Sequence, residues 1–148
     1  MATGDRKDPY RGFNFKLEID GITRAGFREC SGLDATTDPV DYREGIDKGN
    51  IARKLTGLNK HSNITLKWGV TDDHSLWDWR KLAIDGKSKE MRKHGSIVLI
   101  DETGDGEKVR WNFVNGWATK WTGPTFNATS NDVAIETLEI VHEGLAKA

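Results

Sequence analysis

Gly86-Lys87-Ser88 has the ending of a phosphate-binding loop, but that motif needs a glycine five residues earlier, where Lys81 stands. It must also open a helix, and here it closes a helical pattern, so a helix C-terminus with a basic loop accounts for it. His61, His74, His94 and His142 are scattered, and none has the spacing of a paired metal site. Asp72-Asp73 could be half of a carboxylate pair, yet the position just before a helix suits capping better. Asp101, Glu102, Asp105 and Glu107 lack the spacing of a calcium loop, and Asp105-Gly106 reads as a turn. Cys30 has no nucleophile signature around it and reads as a small buried hydrophobe. Lys87, Lys89, Arg92 and Lys93 could touch phosphate, but a solvated loop or a salt-bridging contact with another subunit is the better account. Asn63-Ile64-Thr65 and Asn127-Ala128-Thr129 match glycosylation acceptors, and without a signal peptide they are read as chance. No nucleophile, base and orienting group come together. The expectation is no catalytic residue, no cofactor, no metal ligand and no enzyme.

The 148 residues point to one domain with room for a real core. Charged residues make up 30%, yet the net charge is −1, so whole-chain charge marks neither a nucleic-acid binder nor a membrane-surface protein. Cys30 is the single cysteine, which excludes an internal disulfide. The first ten residues are polar and lack the apolar stretch of a signal peptide. The run Ile97 to Ile100 is far too short to span a bilayer. Synthesis in the cytoplasm without an export signal or membrane anchor is expected.

Phe13, Phe15, Leu17 and Ile19 alternate with polar residues as a half-buried strand, and Asp20-Gly21 turns it into a second strand over 22–31. Ile64, Leu66, Trp68 and Val70 alternate likewise. Leu76, Trp79, Leu82 and Ala83 follow at helical spacing and predict a helix over 74–85, capped from 71–75 and stopped at Gly86. A basic loop over 87–94 leads to strands over 96–101 and 108–115, turned at Gly104-Asp105-Gly106. Trp117, Thr119 and Trp121 share one face of a further strand, broken by Gly123-Pro124, and Asn131-Asp132 opens a last strand over 133–142. About seven core strands around one helix, without βαβ alternation, predict a mainly β domain. Two packed antiparallel sheets would form a barrel-like sandwich. The six tryptophans are expected mostly in the core, with a monomeric carbohydrate-binding β-sandwich as the alternative reading.

Residues 34–63 do not fit a self-sufficient domain: ten charges stand against eight apolar or tyrosine positions. The segment nevertheless has hairpin grammar. Val40 and Tyr42 alternate with Asp41 and Arg43, Asp47-Lys48-Gly49-Asn50 can turn, and Ile51, Arg53 and Leu55 follow. An isolated two-stranded hairpin is marginal in water, so this arm is expected to be ordered by a partner subunit.

In order and spacing the chain resembles the tail-tube proteins of contractile-tailed phages and the inner-tube proteins of phage-derived contractile injection systems, from about residue 8 to 145. The resemblance is carried by Asp8-Pro9-Tyr10-Arg11, Glu18-Ile19-Asp20-Gly21-Ile22, Ser31-Gly32-Leu33 and Asp41-Tyr42-Arg43-Glu44-Gly45. Arg53-Lys54-Leu55-Thr56-Gly57-Leu58, Leu76-Trp77-Asp78-Trp79, Arg110-Trp111-Asn112-Phe113 and Trp117-Ala118-Thr119-Lys120-Trp121 continue it. The resemblance implies hexameric rings stacked into a hollow tube within a contractile sheath, with baseplate and tube-terminating proteins as partners. DNA or protein cargo would pass through the lumen without tight binding. Such tubes also occur, with the same fold, in type VI secretion. The hairpin over 40–55 would help build the channel across subunits. Asp8, Pro9, Tyr10, Arg11, Val40, Tyr42, Ile51, Arg53 and Leu55 are then expected at subunit interfaces, with Asp41 and Arg43 facing the lumen.

Overall fold

The computed structural model describes residues 14–20, 22–43, 45, 49, 52–101, 106–129 and 133–148. The elements run β1 (Phe15–Ile19), β2 (Ile22–Arg24), β3 (Phe27–Ser31), β4 (Thr36–Tyr42), β5 (Arg53–Lys60) and β6 (Ile64–Gly69). Then come α1 (Ser75–Ile84), α2 (Ser88–Met91), β7 (Lys93–Ile100), β8 (Glu107–Thr122), β9 (Ile135–Val141) and β10 (Gly144–Lys147). All strand pairs are antiparallel.

Two sheets share β8. One is ordered β2-β1-β7-β8, with β10 on the far edge of the same part of β8; the other is ordered β3-β6-β9-β8. The first part of β8 pairs with β7 and β10, and residues 117–122 pair with β9. The changeover falls at Asn115, whose φ of 48° is unusual for a residue with a side chain but tolerated by asparagine. Its amide Nδ2 donates to Glu143 Oε2 at 2.8 Å, tying the bend in β8 to the bend between β9 and β10. The sheets face each other without closing into a barrel.

Register explains the core. Phe15, Leu17 and Ile19 stand opposite Leu99, Ile97 and Gly95, and Ile97 stands opposite Trp111, so these side chains share one face. Leu66 lies opposite Leu138 and Ile64 opposite Ile140 in the second sheet. The two faces and α1 enclose a cluster that includes Leu17, Phe27, Trp68, Leu76, Trp79 and Phe113. Phe15 stacks on Phe27 at 5.7 Å between ring centroids, Phe27 meets Trp68 edge-on at 5.9 Å, and Trp68 meets Trp121 at 5.4 Å. This aromatic chain crosses from one sheet to the other.

The single strand expected over 22–31 is two. The chain leaves β1 as β2 in the first sheet, turns at Gly26 with φ +83°, and enters the second sheet as β3. The corner is held by Arg24, whose guanidinium lies over the Trp68 ring at 4.7 Å and donates to Thr71 Oγ1 at 3.3 Å. The strands expected around 108–115 and 117–121 are one, the long β8. Helix α1 matches its predicted face, with Leu76 and Trp79 buried. The N-cap of α1 is His74, which makes no side-chain capping bond; Asp73, one residue earlier, accepts the Ser75 N–H at 2.9 Å in a local turn, so the capping expected of Asp72-Asp73 is not made. The expected basic loop contains α2 and the start of β7, and β10 was not anticipated at all.

Candidate functional site

Among the described residues β4 and β5 pair only with each other, forming a separate two-stranded sheet. Val40 stands opposite Leu55, Asp41 opposite Lys54 and Tyr42 opposite Arg53. Cross-strand partners share a face and neighbours along a strand do not. Val40, Tyr42, Arg53 and Leu55 therefore lie on one face of the arm. Asp41 lies on the other with Lys54, and strand alternation predicts Arg43 there too.

The first face is open: Val40 is 48% exposed, Tyr42 41% and Leu55 49%. Leu58, farther along β5, is 75% exposed. The charges pair within the arm. On the second face Lys54 Nζ bonds Asp41 Oδ1, and nearer the root, beyond the register shift at Thr37 and Pro39, Lys60 Nζ lies 2.8 Å from Asp38 Oδ2. Asp38 raises the pKa of the Lys60 ammonium. The interleaved acids and bases are thus partly neutralised within the arm itself.

The arm is clamped at its base. Ser62 N–H donates to Asp34 Oδ1 at 2.8 Å, which lowers the carboxyl's pKa, and His61 Nδ1 lies 3.0 Å from the Asp34 carbonyl oxygen. The two ends of the arm also pass in close contact. A Cβ on Gly32, itself at φ +90°, would overlap the Asn63 backbone carbonyl. The His61 ring packs 5.3 Å from that of His142, which follows β9. Nothing in the sequence pointed to this pair, because the two residues are far apart along the chain and match no motif.

Asp8, Pro9, Tyr10, Arg11 and Ile51 lie outside the described residues, as does most of the turn expected at Asp47-Lys48-Gly49-Asn50. Of the tryptophans, Trp68 and Trp79 are buried, and Trp79 Nε1 donates to the Met91 carbonyl at 2.7 Å. Trp77 is 37% exposed but is engaged edge-on by Trp121 at 5.2 Å, and the rest are half-buried, so the six do not form an open platform for a sugar. Cys30 is half-buried against the core, and burial pushes its thiol up to about 12, an inert state. Among the described residues no three potential ligands gather around a metal position, and no helix is long and apolar enough to cross a membrane.

The family model described as T4-like virus tail tube protein gp19 matches residues 11–146. The chain belongs to this tail tube family. Solved structures agree. A chain of the extracellular contractile injection system "PVC sheath-tube complex in extended state" is 29% identical, with a TM-score of 0.79 over 95% of this chain and 91% of that one. A chain of the anti-feeding prophage cap, described as its tube terminating cap, is 27% identical with a TM-score of 0.81 over 100% and 99%. Hcp1 from Flavobacterium johnsoniae, at 17% identity and a TM-score of 0.55 over 91% and 94%, shares the fold. No curated protein matches. The tube protein is a structural subunit of the inner tube of a contractile tail or injection system. The carbohydrate-binding alternative finds no support among these relatives.

Proposed function

We propose that this tube protein forms hexameric rings that stack into a hollow conduit, with each arm docked on a neighbouring subunit. The observation that carries the reading is the open face formed by Val40, Tyr42, Arg53 and Leu55 on a hairpin that, among the described residues, pairs only with itself. Such a hairpin gains its stability from a covering surface. Residues 8–11 add a second contact between subunits. The assembled particle sits inside a sheath, between a baseplate and a terminating protein. It is made in the bacterial cytoplasm, and sheath contraction drives it outward. The role is mechanical, with no reaction catalysed.

The opposite face, with Asp41 and Arg43, looks into the lumen. Its mixed and partly paired charges neither grip DNA by counterion release nor repel it strongly, so DNA or protein cargo passes without tight binding. Negative-stain microscopy of the purified protein tests the assembly, with rings or tubes expected and a compact monomer at every concentration refuting it. Reversing Asp41 and Glu44 to Lys tests the lumen: tubes should still form and should hold DNA far more tightly at low salt. Failure of that variant to assemble would move these residues to the interface.

A further inference from the structure

The root of the arm holds an arrangement that tube building does not require. His61 stands between β5 and β6, at the end of the arm, and His142 between β9 and β10, in the body of the sandwich. Their ring centroids are 5.3 Å apart, and the His142 ring also lies 6.1 Å from that of Phe113. The contact joins the arm to the core through two imidazole rings.

We propose that His61 and His142 form an acid-sensitive latch that holds the root of the arm against the sandwich near neutral pH and releases it in mild acid.

Hydrogen bonding assigns the neutral form. The Gly144 N–H donates to His142 Nδ1 at 3.2 Å, so the ring carries its proton on Nε2. That Nε2 is buried and has no partner among the described residues. A second proton on Nδ1 would face the Gly144 N–H donor to donor. It would also put charge where burial disfavours it and beside a second imidazole. Burial first, and then His61, hold the pKa of His142 below its ordinary value, against a smaller upward pull from the Gly144 and Ser62 backbone.

The other charged groups nearby do not supply the switch. From the arm, Asp34 faces the pair and favours a protonated ring, but its own carboxyl is held ionised by Ser62 N–H and does not titrate in this range. β8 contributes Phe113, which is uncharged. Glu143, next in the chain, turns to Asn115 Nδ2, and Lys60 turns to Asp38. His94 lies against the Asn115 N–H on the far side of β8's bend.

The sign follows from linkage. His142 binds a proton more weakly in the docked root than in a released one, where it returns to its ordinary value of about 6.5. The latch is therefore at full strength above that pH and weakens as the pH falls below it, until the docked value is reached. One proton taken up on opening changes the opening equilibrium by at most about tenfold per pH unit.

The consequence for tubes rests on the docking of the arm proposed above, whereas the latch can be tested in the single subunit. The full chain is studied at a concentration where it is monomeric. Hydrogen-exchange protection, corrected for the intrinsic pH dependence, is followed at Ser62 and Gly144 at pH 7.5, 6.5 and 5.5, beside an NMR titration of the histidine rings. Protection at both amides should fall several-fold, up to about tenfold, from pH 6.5 to 5.5, while Leu66 in the core stays protected. His61→Gln should raise the His142 midpoint and reduce the fall, and His142→Gln should abolish it at Ser62. An unchanged fall in His61→Gln, or none in the parent, would overturn the latch. If His142→Gln does not fold, the parent titration and His61→Gln decide alone. Tubes indifferent to acid beside a monomer that shows the latch would instead count against arm docking.

Discussion

β5 and β6 are neighbouring strands of similar length, yet β6 buries every second side chain and β5 buries none. β6 lies between β3 and β9 with α1 and the first sheet over its inner face, whereas β5 has β4 alone. Alternation of side chains assigns faces, and only a covering layer turns a face into a core. In this molecule the sandwich supplies its own cover and the arm does not, so substitutions in the two regions should be read out by different measurements.

The largest effect on the single subunit is expected from Trp79→Ala. It removes a fully buried ring and the bond to the Met91 carbonyl, and should cost about 3–5 kcal/mol in chemical denaturation. A loss under 1 kcal/mol would show that α1 is peripheral. Gly32→Ala strikes the seam between the regions. A side chain there meets both a positive φ and the Asn63 carbonyl, so about 2–4 kcal/mol should be lost, with faster exchange concentrated at the arm root. Trp77→Ala should cost less than Trp79→Ala, about 1–2 kcal/mol, since it removes a half-exposed ring and one edge-on contact. A Trp77 variant weaker than the Trp79 variant would invert the assigned helix face. The smallest effect on the subunit, within about 0.5 kcal/mol, is expected from Leu55→Ala, while its tubes should be fewer or absent in microscopy. Normal tubes from that variant would mean that the arm's open face is not a docking surface.

Much of the sandwich was legible because its signals are local. The period-two pattern of Phe15, Leu17 and Ile19 and the helical spacing of Leu76 and Trp79 each depend on a few adjacent residues and one covered side. Where the reading missed, the deciding contact lay elsewhere. Residues 22–31 alternate well enough for one strand, and only the pairing of β2 with β1 and of β3 with β6 divides them at Gly26. The long β8 spans the two strands expected over 108–115 and 117–121, because β7 and β10 flank it on one side of the bend and β9 takes over on the other. β10 is four residues with little pattern of its own and exists by pairing with β8.

The sequence by itself determined the mainly β class, the phase of each long alternating strand, the helix and its inward face, and a hairpin whose apolar side lacks a cover. These follow from periodicity and composition, which one chain carries in full. Tertiary structure alone decided that two sheets share a bent strand, and that Asp41 and Asp38 find their cations within the arm. It also decided that His61 rests on His142. Those outcomes depend on which distant segments become neighbours, and ion pairs, ring contacts and buried imidazoles acquire their energies only once that neighbourhood has formed.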